Sequence, residues 1–221
     1  MTRLIGHRGC GLAPENTVEA VEKAADYVDV VEVDVRATKD GVPVLLHDET
    51  VDRTTSKTGR LDSYRYEEIE DFVPRLDEAL EAAEEYGLDL NIEVKERRVT
   101  DAVLDLLEGY PGDVLVSSFD YAALRELAEK SNHGLAPLFE EGDGFGVAEE
   151  VDASAVHPHH DLVDAEYVDE AIQRGLEVNA WTVNDVGRAL ELVSMGAGVI
   201  TDVPHEIDPE MRDRAEDNES Y

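Results

Sequence analysis

Val30-Val31-Glu32-Val33-Asp34-Val35 alternates acid with valine. A period of two sends Glu32 and Asp34 to one face of a strand and the valines to the other. Asn91-Ile92-Glu93-Val94-Lys95 repeats the arrangement, with Glu93 and Lys95 on one face. Unpaired charge is costly to bury. Two β-branched strands that end in inward charge therefore point to a packed outer face and a polar centre.

Working outward from these two segments, the same short β-branched runs recur along the chain. Strands are expected at Leu4–His7, Val30–Val35, Leu88–Val94, Val114–Ser118, Gly134–Leu138, Ala153–His157, Leu176–Trp181 and Gly198–Thr201. Amphipathic, acid-rich stretches separate them. One, capped by Asn16 or Thr17, runs to about Tyr27, and another covers Leu76–Tyr86 and stops at Gly87, a favourable residue after a helix. Further helices are expected over Thr100–Glu108, Tyr121–Lys130, Phe145–Glu150, Ala165–Arg174, Val186–Met195 and the tail after Pro204. Asp120 and Asp185 read as helix starts, and Gly175 and Gly196 sit where helices hand over to strands.

Eight βα units in 221 residues read as an α/β protein, a single (β/α)8 TIM barrel over residues 1–221. An open doubly wound sheet is the structural alternative, although no G-x-G-x-x-G opens the first helix. Val42–Leu46 reads as an extra short strand after a Lys39-Asp40-Gly41 turn. Residues 48–74 hold no βα unit and are expected to form a short insertion at the mouth, after the second strand, while residues 206–221 are expected to form a C-terminal helix and tail.

Composition narrows the partners. The formal net charge is −34, with the acids spread along the chain rather than gathered in one arm. Such a field repels nucleic acid and anionic membranes. It suits a halophile with a salt-filled cytoplasm, where salt screens self-repulsion. The single cysteine, Cys10, allows no intrachain disulfide and nothing beside it marks a nucleophile. The opening Met-Thr-Arg runs directly into a short apolar segment ending at His7, and no run reaches membrane-spanning length. The expectation is a cytoplasmic protein with no stable membrane anchor.

Glu32, Asp34 and Glu93 converging at one rim would repel one another unless a cation held them, and their hard oxygens suit one divalent ion, Mg²⁺ or Ca²⁺. Lys95 and Arg8 would offer positive charge to an anionic substrate, Arg8 with the planar fork that grips phosphate. His7 and His47 each end a strand, and two imidazoles there suit a general base and a general acid. His157-Pro158-His159-His160 looks like a metal motif, but a Pro-broken loop cannot give helical i, i+4 ligands and no H-E-x-x-H is present. It is read as a loop after strand six, with His157 a candidate substrate contact. His133 and His205 read as surface or helix-start residues.

In combination and in order, these motifs resemble the glycerophosphodiester phosphodiesterase family. The resemblance rests on His7-Arg8-Gly9, Pro14-Glu15-Asn16-Thr17, Glu32-Val33-Asp34-Val35, Thr38-Lys39-Asp40-Gly41 and His47-Asp48. Asp52-Arg53-Thr54-Thr55, Glu93-Val94-Lys95, Ser118-Phe119, Trp181-Thr182-Val183-Asn184 and Thr201-Asp202-Val203-Pro204 extend it. It implies a barrel that cleaves small-molecule glycerophosphodiesters to glycerol phosphate and an alcohol. Glu32, Asp34 and Glu93 would be the metal ligands, His7 and His47 the acid/base pair, Arg8 and Lys95 the phosphate contacts, and Trp181 part of the pocket wall. The family usually inserts a subdomain after the His-Asp motif; the short interval here implies a more open pocket. Two other readings of the residues are a barrel aldolase or isomerase with Lys95 as a Schiff-base amine, and a non-catalytic barrel that binds a phospho-headgroup.

Overall fold

The computed structural model describes residues 3–207, so the expected C-terminal helix and tail lie, from residue 208 on, outside the described residues. The strands are β1 (Leu4–Gly6), β2 (Val30–Ala37), β3 (Pro43–Leu45), β4 (Asp89–Val94), β5 (Val114–Ser118), β6 (Gly134–Phe139), β7 (Ala155–Pro158), β8 (Glu177–Ala180) and β9 (Gly198–Thr201). All except β3 are parallel to their neighbours, and β1 pairs with both β2 and β9, which closes an eight-stranded barrel. β3 pairs antiparallel to β2 outside the barrel, with Val35 opposite Leu45.

Seven helices lie between the barrel strands: α1 (Val18–Ala24), α2 (Leu76–Tyr86), α3 (Thr100–Leu107), α4 (Tyr121–Lys130), α5 (Phe145–Glu150), α6 (Ala165–Gln173) and α7 (Val186–Met195). This is the TIM barrel that the alternating pattern predicts. Several boundaries move by one to three residues. The first helix stops at Ala24 rather than Tyr27, because the N–H groups of Tyr27 and Val28 both turn back to the Ala24 carbonyl. Its cap is Thr17, whose hydroxyl accepts from the Ala20 N–H, and not Asn16.

Val31, Val33 and Val35 of β2 do what their period requires, while Val30, in phase with Glu32 and Asp34, packs inside the barrel. Val31, Val33 and Val35 are fully buried in the layer between strands and helices, with Leu76, Ala79 and Ala83 of α2. Burying one such side chain contributes roughly 1.5–3 kcal/mol. Inside the barrel, Ile5, Val30 and Ile200 form a small cluster with Trp181 packed on it.

Residues 48–74 contain only two short 3₁₀ turns, Leu61–Ser63 and Tyr66–Glu68. Val51, Leu61, Ile69 and Val73 tie the segment down through a cluster of their own with Val44 and Leu46. Among the described residues, no helix is long and apolar enough to cross a membrane.

His157, a candidate substrate contact in the sequence, does not line the pocket at the mouth. It is fully buried in β7, its Nε2 is 3.1 Å from the Asn179 amide nitrogen, and its Nδ1 has no partner. Burial pushes its pKa down to about 3. The unfolded chain therefore takes up a proton near the ordinary value of about 6.5 that the fold refuses. This stability is intact above about pH 6.5 and is lost as pH falls toward 3. Between about pH 7 and about pH 5 the loss is about 2 kcal/mol. Urea unfolding should show wild type losing about that much more than His157→Gln over this interval; equal losses would remove His157 from the account.

Candidate active site

The barrel register places the acids. Asp34 of β2 stands opposite Glu93 of β4, and Glu93 opposite Ser117 of β5; Glu32 pairs with Asn91 two residues earlier along the strands. One ligand oxygen from each of Glu32, Asp34 and Glu93 lies within 4.8 Å of the others, and all three residues are buried. The two strand patterns thus converge at the C-terminal mouth, where barrels of this kind carry their chemistry.

The electrostatics of this cluster are set by burial and by two cations. Lys95 Nζ bonds Glu93 Oε1 and lies 3.3 Å from Asp34 Oδ1. Arg8 Nε lies 3.2 Å from Asp34 Oδ2. Burial, followed by Asp34 and Glu93, raises the Glu32 carboxyl well above the usual range. Burial also raises Glu93, reinforced by Asp34 and opposed by Lys95. For Asp34, burial acts in the raising direction but Lys95 and Arg8 outweigh it, so this carboxyl sits below its usual range. Three carboxylates thus face two cationic groups.

His7 follows β1, with its backbone N–H on the Thr201 carbonyl at 2.8 Å. The next two residues make a turn that only this sequence tolerates well. Arg8 has φ of 50°, and a Cβ on Gly9 would lie 2.3 Å from Ala20 Cβ. The turn aims the Arg8 backbone N–H at Glu32 Oε2, 2.8 Å away.

Each histidine is held by its own carboxylate. His7 Nδ1 is 2.7 Å from Asp202 Oδ1, and Asp202 Oδ2 accepts from Asn184 Nδ2 at 2.7 Å. His47 Nδ1 is 2.7 Å from Asp48 Oδ1. Asp48 also accepts from Arg53 Nε at 2.6 Å, and Arg53 reaches across to Glu15, which in turn bonds Arg8. Burial lowers the His47 pKa despite Asp34 and Asp48. In both rings Nδ1 is the nitrogen that meets a carboxylate.

A pocket at the mouth is lined by His7, His47, Arg8, Lys95 and Trp181 together with Glu32 and Glu93. Of the sequence-derived candidates, all except Asp34 and His157 line it, and Asp34 sits within the acid cluster. Phe119 and Trp181 meet edge to face at 5.3 Å and form one wall. Buried polar atoms are normally paired, yet Asn91 Oδ1 and Nδ2, Ser117 Oγ, Arg8 Nε and Asp34 Oδ1 have no hydrogen-bond partner. Asn91, Ser117 and Arg8 line this pocket, which marks it as built for a polar ligand. A wider groove between Asp101 and His133 is open surface, and its Lys130 is already paired with Asp101 and Glu126.

The sequence pattern missed four contributors. Asn16 clamps Asp34 at two points, donating from Nδ2 to Oδ2 at 2.8 Å and accepting the backbone N–H at 3.0 Å. Asp202 and Asn184 orient His7, and Glu15 links Arg8 to Arg53. Only a left-handed φ of 54° at Asn16 turns it inward, and no periodicity announces that.

The Glycerophosphoryl diester phosphodiesterase family model matches residues 7–206. A glycerophosphodiester phosphodiesterase of Caldanaerobacter subterraneus subsp. tengcongensis is 29% identical over 232 residues, covering 92% of this chain and 95% of that protein. A phosphodiesterase from Oleispira antarctica, solved with the product sn-glycerol-3-phosphate, superposes with a TM-score of 0.91 at 28% identity over 96% of this chain and 97% of the other. A Thermotoga maritima glycerophosphodiester phosphodiesterase gives a TM-score of 0.81 at 27% identity over 96% and 98% of the two chains. With the family pattern running through almost the whole barrel, this chain belongs to the glycerophosphoryl diester phosphodiesterase family and is a phosphoric diester hydrolase.

Proposed function

We propose that this chain hydrolyses glycerophosphodiesters to glycerol phosphate and an alcohol, with a divalent cation held by Glu32, Asp34 and Glu93 and with His7 and His47 as the acid/base pair. The observation that carries this reading is the pair of carboxylate-held imidazoles at the rim of one buried acid cluster. The product in the Oleispira antarctica structure supports the substrate class.

The acid cluster fits a cation. Its donors are all hard oxygens, which suit Mg²⁺ or Ca²⁺, and the buried Asp34 Oδ1 lacks a hydrogen bond. When bound, the cation would withdraw charge from the phosphoryl oxygens. Arg8 and Lys95 would grip the same oxygens and stabilise the charge that builds on them. One histidine would take the proton of a glycerol hydroxyl of the substrate as it attacks phosphorus, the other would protonate the leaving alkoxide, and water would then open the cyclic phosphodiester with the two roles reversed, giving glycerol phosphate. Asp202 and Asp48 would hold the two rings in the tautomer this requires. Phe119 and Trp181 would cover the apolar face of the glycerol or leaving group.

The Schiff-base reading fits less well. Burial acts to lower the Lys95 pKa, but Asp34 and Glu93 outweigh it and keep the amine protonated, and an ammonium is no nucleophile.

The direct test assays glycerophosphocholine, glycerophosphoethanolamine and glycerophosphoglycerol in concentrated KCl, with Mg²⁺, with Ca²⁺ and with chelator. The salt is chosen because the net charge is −34. Release of glycerol phosphate that chelation abolishes is expected; turnover unaffected by chelator would refute the cation's part. Asp202→Asn should lower kcat on the order of 10–100-fold, as loss of a partner that orients a functional imidazole does, with KM little changed. An unchanged kcat would leave Asp202 a purely structural residue.

A further inference from the structure

No residue of Asp52-Arg53-Thr54-Thr55 lines the pocket, yet its arginine joins the two sides of the mouth. We propose, resting on the roles already given to His47 and Arg8, that Arg53 is a positioning residue that fixes these two groups in one geometry through Asp48 and Glu15.

The guanidinium grips two carboxylates at once. Arg53 Nε donates to Asp48 Oδ2 at 2.6 Å, and Nη2 donates to Asp48 Oδ1 at 3.1 Å. Arg53 Nη1 donates to Glu15 Oε2 at 2.6 Å, and Nη2 to Glu15 Oε1 at 2.8 Å. Both contacts are forks, which a planar guanidinium supplies and an ammonium cannot. Beyond each carboxylate stands one functional group. Asp48 Oδ1 is 2.7 Å from His47 Nδ1, and Glu15 Oε1 accepts from Arg8 Nη1 at 3.1 Å. Arg8 then reaches the acid cluster, with Nε 3.2 Å from Asp34 Oδ2. One side chain therefore sits at the middle of a network that runs from an acid/base imidazole to a phosphate contact.

The rest of the motif builds the platform from which Arg53 projects. Val51 is buried in the cluster that ties this segment down. Thr55 Oγ1 donates to the Val51 carbonyl at 2.7 Å and accepts the Lys57 N–H at 3.0 Å, and Asp52 Oδ2 accepts the Gly59 N–H at 2.9 Å. These bonds hold the loop without Arg53, whose side chain is 46% exposed. Ion pairs so exposed add only about 0–1 kcal/mol to stability, so the service of Arg53 is to geometry.

Two other roles fit less well. Every nitrogen of the guanidinium is engaged with Asp48 or Glu15, which leaves little with which to grip phosphate directly. A simple source of positive charge would not need two forks. The hydrogen bonds from Arg53 are the first cause that holds both Asp48 and Glu15 below the usual carboxylate range, so both remain ionised acceptors for their partners. A lysine at this position would neutralise the same carboxylates but hold neither by a fork, and this separates positioning from charge.

The experiment measures kcat and KM for a glycerophosphodiester in wild type, Arg53→Lys, Arg53→Ala, Glu15→Gln and the double variant Arg53→Ala with Glu15→Gln, in dilute and in concentrated KCl. Arg53→Lys and Arg53→Ala should each lower kcat on the order of 10–100-fold, the scale for a functional group displaced by about 1 Å. The deficit should persist in concentrated KCl, which screens long-range charge. Guanidinium below denaturing concentration should restore part of the Arg53→Ala rate. The double variant should lose less than the product of its two single changes, because both act through one network. An Arg53→Lys enzyme close to wild type, a deficit that salt removes, or full additivity with Glu15→Gln would overturn the proposal and leave Arg53 a source of charge or a surface pair. Melting curves check that each variant folds, and Arg53→Lys keeps the test decisive if Arg53→Ala does not. Wild type that turns over no glycerophosphodiester would instead sink the roles of His47 and Arg8, an outcome distinct from active wild type with unchanged Arg53 variants.

Discussion

His7→Ala is expected to lower kcat for a glycerophosphodiester by on the order of 10²–10⁴-fold, the range for loss of a general acid or base. The fold should survive. The His7 backbone N–H, and not its ring, bonds Thr201. The ring is held by Asp202 alone among the described residues, so its removal leaves a partly exposed carboxylate rather than a buried orphan. His47→Ala should cost a similar factor, and the double variant much less than the product of the two, because the residues act on one proton-transfer sequence. Added imidazole should recover part of the His7→Ala rate. Single-turnover kinetics with a melting curve for each variant checks this. A loss under tenfold in folded protein would take His7 out of the chemistry.

Glu32→Gln is expected to abolish cation-dependent turnover while leaving the ion-free protein as stable as wild type or more so. The reasoning runs through charge. Burial and two neighbouring carboxylates already favour the protonated Glu32, whose shape glutamine copies. The variant therefore removes like-charge repulsion without creating a cavity. It also removes a ligand. A cation at about 100 times its Kd stabilises wild type by about 2.7 kcal/mol, and a tenfold weaker site gives up about 1.4 kcal/mol of that. Thermal melts with chelator and with Mg²⁺ or Ca²⁺ separate the two effects. A variant that is several kcal/mol less stable in chelator, yet shifts with the cation as wild type does, would contradict the assignment.

Much of this design is local and so is written in local pattern. The acid–valine alternation in β2 and β4 gives the inward face, and the eightfold recurrence of strand and helix gives the barrel. His47 and its partner Asp48 are sequence neighbours. Short-range terms of this kind follow from side-chain period and residue type.

Other parts had no local signal. Asp202 holds His7 across 195 residues, an approach made only by the closure of β1 on β9. Asn16 looks like a helix cap and instead clamps Asp34. His157 ends an expected strand as a candidate substrate contact and is instead fully buried in β7. The sequence by itself determined the strand faces, the barrel and the identities of the charged residues at its centre, because alternation and burial cost act over a few residues. Only the tertiary structure decided which carboxylate orients each imidazole, which histidine is buried and which polar atoms stand unpaired in the pocket, because those depend on register and closure between strands far apart in the chain.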